Sequence, residues 1–140
     1  MNEKLLEIRE FTGSGYQPVI DYAEWRVAIL NYIDEIHPER IELLERHNET
    51  DEVFVLMKGK CILFLGEGEM LIENIYAQVM EPGKIYNVKK GIWHSAVLSI
   101  NGSVLIVENR NTTEENSDYS ALDLNQRKLI IEISREQIRD

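Results

Sequence analysis

The chain has 140 residues, of which 44% are hydrophobic, and a formal net charge of -10. This size predicts one domain over residues 1–140, and the acidic balance argues against binding to nucleic acid or to an anionic membrane. The start of the chain lacks the apolar region of a signal peptide, and no run approaches the roughly 18 apolar residues of a membrane span. The one cysteine, Cys61, excludes an intrachain disulfide, so we expect a soluble protein of the reducing cytoplasm.

Short β-branched or aromatic runs, separated by turn residues, follow one another through the middle of the chain. Without a long helical pattern among them, they predict antiparallel strands that form an all-β barrel or sandwich. Lys58-Gly59-Lys60 and Asn101-Gly102 separate neighbouring runs by little more than a turn, which predicts two tight hairpins. The runs cover residues 27–33, 41–44, 53–57, 61–65, 70–80, 85–88, 96–100 and 104–107.

The two ends of the chain carry different patterns. Apolar residues within 5–11 predict a strand that pairs outside the barrel and covers an exposed sheet edge, which favours a homodimer. The polar residues 109–120 predict a loop that leaves the barrel. After a potential cap at Asp123, apolar residues near helical spacing favour a short C-terminal helix, although residues 129–133 equally fit a strand. These apolar residues are Leu122, Leu124, Leu129, Ile130, Ile133 and Ile138.

Histidines and carboxylates stand at corresponding positions of three predicted strands. Side chains alternate between the faces of a strand, so Glu45 and His47 share one face. Glu52 begins the next strand and His94 begins a later one. Imidazole and carboxylate together suit divalent transition metals such as Mn, Fe, Ni or Zn. The pattern therefore predicts a metal pocket inside the barrel.

The first of these segments resembles a motif of the cupin superfamily of small β-barrels. In that motif a His-x-His pair is followed after three or four residues by Glu, and after six more by Gly. This chain has Glu45-Arg46-His47, four residues, Glu52, six residues and Gly59. Only the first histidine is replaced.

The second segment resembles the second cupin motif, which is Gly, five residues, Pro-x-Gly, two residues, His, three residues and Asn. This chain has Gly83, five residues, Lys89-Lys90-Gly91, two residues, His94 and Leu98 after three more, so the proline and the asparagine are missing. The resemblance spans about residues 40–108 and implies an antiparallel double-stranded β-helix, the cupin jelly roll barrel. Residues 1–39 would add N-terminal strands, and residues 109–140 a loop and helix.

The resemblance also implies that His47, Glu52 and His94 are metal ligands. Glu45 replaces the first histidine of the motif, and its carboxylate fits either a fourth ligand or a general base. Near these residues, Phe54, Tyr86 and Trp93 are candidates for the wall of a substrate pocket, because aromatic side chains offer an apolar face with a polar tip.

Two classes of function fit this pattern. The first is a metal-dependent enzyme, of the isomerase, epimerase or dioxygenase type, that acts on a small polar molecule such as a sugar derivative or a carboxylic or keto acid. The second is a non-catalytic cupin module that binds or senses a small ligand. Cupins serve many reactions, so the resemblance leaves the substrate, the reaction and the metal open.

Overall fold

The computed structural model describes residues 2–138, and its ten strands form two antiparallel five-stranded sheets. The order of the first sheet is β1-β2-β9-β4-β7 and that of the second is β10-β3-β8-β5-β6. The first sheet consists of β1 (Gly15–Tyr22), β2 (Trp25–Asn31), β4 (Glu52–Lys58), β7 (Tyr86–Val88) and β9 (Ser103–Asn109). The second consists of β3 (Leu43–His47), β5 (Cys61–Glu67), β6 (Asn74–Val79), β8 (Trp93–Leu98) and β10 (Ser117–Ala121).

The core has two layers. Inward side chains of both sheets meet in the first layer, which includes Phe54, Leu63, Leu98 and Ile106. The outer face of the second sheet forms the second layer with helix α1 (Leu124–Gln137), where Ile130 packs in the same cluster as Phe64 and Trp93. Because the second sheet is covered on both faces, β5 consists almost entirely of buried residues. This architecture confirms the predicted all-β jelly roll with a C-terminal helix.

The helix begins as the sequence predicts. The Asp123 carboxylate accepts a hydrogen bond from Gln126 N at 2.8 Å, and Gln126 Oε1 accepts one from Asp123 N at 2.9 Å. This reciprocal capping box satisfies two amide groups that the first turn leaves without partners. The alternative of a strand at residues 129–133 is therefore wrong, because these residues lie within α1.

The prediction of two tight hairpins is wrong. Strands β4 and β5 lie in different sheets, and so do β8 and β9, so Lys58-Gly59-Lys60 and Asn101-Gly102 are corners where the chain crosses from one sheet to the other. The two corners pack together. A Cβ on Gly59, whose φ is +69°, would lie 2.8 Å from the Cα of Gly102, and this close approach requires glycine.

Three other boundaries differ from the prediction. Residues 5–11 form no strand because they pair with neither sheet, and Leu5 and Ile8 are 78% and 69% exposed. The predicted loop at 109–120 contains a short 3-10 helix and most of β10, which pairs with β3. Of the run 70–80, only Asn74–Val79 is a strand, and Met70 and Leu71 are exposed on a loop.

Candidate metal centre

Four side chains of the two motif segments converge between the sheets. Glu45 and His47 project from β3, His94 from β8 and Glu52 from the first residue of β4. The Nε2 atom of His47 lies 2.9 Å from Glu52 Oε2 and 3.9 Å from Glu45 Oε1, and the Nε2 atom of His94 lies 3.3 Å from Glu52 Oε1. Both histidines and Glu52 are buried, whereas the Glu45 side chain is 40% exposed.

The turn before β8 is held against β3. Gly91, with φ +80°, donates its N–H to the carbonyl oxygen of His47 at 2.8 Å. The left-handed backbone at this position favours glycine. This hydrogen bond fixes the distance between the two segments that carry the histidines.

Hydrogen bonds at Nδ1 set the orientation of both imidazoles. Ser117 Oγ donates to the Thr113 carbonyl at 2.7 Å, so it accepts the proton of His47 Nδ1 at 2.8 Å. His94 Nδ1 donates to the Ile92 carbonyl at 3.0 Å. In the neutral form of each ring the Nε2 atom is then unprotonated, and its lone pair faces Glu52. Outer partners of this kind are typical of histidines that bind metals.

A lone pair that faces a buried carboxylate needs a proton or a metal cation between them. Within residues 2–138, His94 Nε2 is buried without a hydrogen-bond partner, although Glu52 is its neighbour. Two sets of three residues offer donor atoms near this position, and the atoms of each set lie within 4.8 Å of one another. The first set is Glu45, His47 and His94, and the second is His47, Glu52 and Glu108. Mixed nitrogen and carboxylate donors suit first-row divalent metals. These residues therefore fit a divalent transition metal.

The close approach of these histidines and carboxylates also shifts the pKa values of the buried groups. Burial acts to raise the pKa of Glu52, but the interaction with His47 and His94 outweighs it and holds that pKa far below its usual range. Burial lowers the pKa of His94, yet the interaction with the Glu52 carboxylate leaves it above its ordinary value. Burial, followed by the hydrogen bond and charge of Glu52, raises the pKa of Glu108 to about 8.

Glu108 and Tyr16 are site residues that the sequence analysis missed. Glu108 follows Val104 and Ile106 at the next inward position of β9, and all three are buried. The signal in the sequence was the alternation of side chains between the two faces of a strand, which places Glu108 on the face of Val104 and Ile106. The predicted strand ended at residue 107 and therefore excluded it. Tyr16 on β1 donates its hydroxyl hydrogen to Glu108 Oε1. No sequence motif marks this tyrosine.

The convergence lies in a cavity of about 710 Å³. Phe54 lines it, as the sequence analysis expected, and its ring centroid is 6.2 Å from that of His94. Six glutamates line the cavity, and Arg40 is the one lysine or arginine among its described lining residues. Without a bound cation the cavity therefore has a strong negative potential.

Trp93 and Tyr86 do not belong to the lining of this cavity. Trp93 precedes His94 on β8, so alternation turns its side chain to the opposite face, where it is buried and donates to the Gly68 carbonyl at 2.9 Å. The Arg46 guanidinium lies 4.2 Å from the centre of this ring. Tyr86 packs against the core, and its hydroxyl accepts the N–H of Glu81 at 2.9 Å.

Two antiparallel sheets that enclose histidines and carboxylates define a small protein of the cupin fold. The model of the ureidoglycolate lyase family matches residues 6–130, and the chain belongs to this family. Among curated proteins, none matches the sequence. Of the described helices, none has the length and apolar character needed to cross a membrane.

Solved structures share this fold at low sequence identity. Pac13 of Streptomyces, a nucleoside dehydratase, is 8% identical over 80% of this chain and 83% of its own, with a TM-score of 0.55. KdgF from Halomonas sp. is 13% identical over 71% and 81%, with a TM-score of 0.50. CapF, solved with the inhibitor 3-isopropenyl-tropolone, is 11% identical over 81% of this chain and 34% of its own, with a TM-score of 0.55. These similarities concern the fold alone.

Proposed function

We propose that the protein is a metal-dependent lyase that cleaves a carbon–nitrogen bond of a small 2-hydroxy acid, of the ureidoglycolate type. The observation that carries this proposal is the convergence of the Nε2 atoms of His47 and His94 on the buried carboxylate of Glu52, at 2.9 Å and 3.3 Å. The family name favours a lyase over the isomerase or oxygenase chemistry that the cupin resemblance suggested.

His47, Glu52 and His94 would hold the cation, and the half-exposed Glu45 would remain nearest to the open cavity. When bound, a divalent cation polarises substrate oxygens and offsets negative charge as a Lewis acid. Phe54 would exclude water from one side of the reacting group.

The six glutamates of the cavity repel a substrate carboxylate unless bound cations offset their negative charge. Arg40 lines the cavity and makes no ion pair with another described residue. Its guanidinium is therefore free to bind the substrate carboxylate through two parallel hydrogen bonds. A sugar derivative without negative charge would not use this group.

Glu45 would act as the base. In ureidoglycolate one carbon carries both a hydroxyl group and a urea nitrogen. Glu45 accepts the hydroxyl proton, a carbonyl group forms as the carbon–nitrogen bond breaks, and the departing nitrogen takes up the proton. The products are glyoxylate and urea, and no oxidant or reductant is consumed. General acid–base groups of this kind contribute on the order of 10²–10⁴-fold in rate.

The direct test is to purify the protein without chelators, determine its metal content, and measure urea and glyoxylate formed from ureidoglycolate. We expect E45Q to retain the metal and lose turnover, while the exposed helix variant E136Q behaves like the wild type. R40Q should raise KM with little change in kcat, in contrast to K128Q on the helix surface. Binding of ureidoglycolate without product would instead support a non-catalytic binding module, and absence of both would reject this substrate.

A further inference from the structure

Glu108 and Glu52 stand side by side on neighbouring strands. The register pairs Val53 with Val107 and Phe54 with Ile106, and its continuation places Glu108 opposite Glu52. Both carboxylates are buried, with 6% and 5% exposure. Like charges at directly opposed positions of a sheet are destabilising, and burial makes the repulsion stronger. The pair therefore requires a proton or a metal cation between the two carboxylates.

In the metal-free protein a proton shared with Glu52 meets this requirement, and it goes with the raised pKa of Glu108. A bound cation would take the place of that proton. Tyr16 donates a hydrogen bond to Oε1. Arg26, the residue paired with Glu108 on β2, acts on Glu108 through its charge, while its Nε atom donates to Asp21 at 2.9 Å. A carboxylate oxygen of Glu108 lies within 4.8 Å of the donor atoms of His47 and Glu52, which are themselves candidate ligands.

We propose that Glu108 is a ligand of the same divalent cation that His47 and Glu52 bind. This inference rests on the proposed metal-dependent function. Tyr16 is then a positioning residue, because its hydrogen bond fixes the carboxylate that faces the ion, as outer partners of metal ligands do. With Glu108 in the ligand set, Glu45 is not needed as a ligand and remains free for the substrate. No position of the two sequence motifs corresponds to Glu108.

The test is a titration of the metal-free full chain with cobalt(II), whose visible absorption reports its coordination. E108Q should weaken cobalt binding by at least about tenfold and change the absorption spectrum. Y16F should weaken binding by about tenfold, the range for the loss of an outer partner, with a smaller spectral change. E45Q should keep both the wild-type affinity, within about twofold, and the wild-type spectrum. E136Q on the exposed face of α1 is the matched control.

Folding of each variant is checked by circular dichroism before the titration. The glutamine of E108Q can still accept the Tyr16 hydrogen bond and can donate to Glu52, so we expect this variant to fold. If it does not, E108D keeps the charge and shortens the side chain, and it should also weaken cobalt binding.

Two outcomes would overturn the inference, and they are distinguishable. If the wild type binds cobalt and E108Q, or E108D in its place, shows the same affinity and spectrum, Glu108 is not a ligand while the metal-dependent function stands. If the wild type binds no cobalt at neutral pH, the proposed metal dependence fails and this inference fails with it.

Discussion

The buried carboxylate of Glu108 should make the metal-free protein less stable as the pH rises from 5 to 7. The ordinary pKa of a glutamate is 4.5, and burial and the neighbouring Glu52 raise that of Glu108 to about 8 in the folded protein. A group whose pKa is raised by folding contributes stability below its unfolded pKa and loses it as the pH rises through the folded value. His94, whose pKa is also raised, acts in the same direction. The lowered pKa of Glu52 acts in the opposite direction, but only below about pH 5.

The size of the effect follows from these two pKa values. Between pH 5 and 7 the folded protein keeps nearly one more proton at Glu108 than the unfolded chain does, which costs on the order of 2 kcal/mol of unfolding free energy. Urea unfolding in the presence of a chelator measures it, with the buried Trp93 as a fluorescent reporter. Between pH 5 and 7 the unfolding free energy of E108Q should fall by about 2 kcal/mol less than that of the wild type. That of E136Q should follow the wild type. Parallel curves for E108Q and the wild type would refute the reasoning.

The other predictions concern the metal, the helix cap and the oligomeric state. At pH 7.5, free Mn, Fe, Ni or Zn at about 100 times its Kd should stabilise the protein by about 2.7 kcal/mol, or about 9 °C in Tm, because it binds the folded state alone. The gain should nearly vanish at pH 5, where protons compete with the metal for its ligands, and in H94A at any pH; no thermal shift with any of these ions would contradict the metal site. D123A should cost about 1 kcal/mol in urea unfolding, because it removes the capping box of α1, and a change below about 0.3 kcal/mol would contradict that role. Light scattering should give twice the chain mass of 16.3 kDa at micromolar concentration, because the apolar residues Leu5 and Ile8 are exposed, whereas a mass of one chain would reject the homodimer.

Local patterns were sufficient for the strands but not for the way they pair. The runs around Phe54, Leu63 and Ile106 become β4, β5 and β9 because short apolar runs bounded by turn residues are typical of buried strands. Lys58-Gly59-Lys60 has the composition of a hairpin turn, yet in this fold it is a corner between sheets. Pairing depends on contacts between residues distant in sequence, and a turn of given composition permits either arrangement. Strand β10 was missed for a related reason, since Ser117–Ala121 is polar and gains its partners only from β3.

The motif segments were sufficient to locate part of the candidate site. His47, Glu52 and His94 were recognised by spacing, and the structure brings them together with Glu45. Their role as ligands stays a prediction. The partners of the buried groups could not be predicted, because Ser117, which contacts His47, and Tyr16, which contacts Glu108, come from strands outside both motifs and act through distances that only the tertiary structure sets.

The two buried carboxylates and the two histidines come from opposite sheets: Glu52 and Glu108 belong to the first sheet, and His47 and His94 to the second. An ion bound by both pairs would be a reversible cross-link between the sheets at the open end of the barrel, where a cavity of about 710 Å³ replaces apolar packing. Separation of the sheets at that end would then require release of the ion. We expect metal to slow amide hydrogen exchange in β3 and β4 more than in α1, and equal slowing in all three would argue against a cross-link. The rigidity of the substrate cavity would in this way depend on the supply of metal.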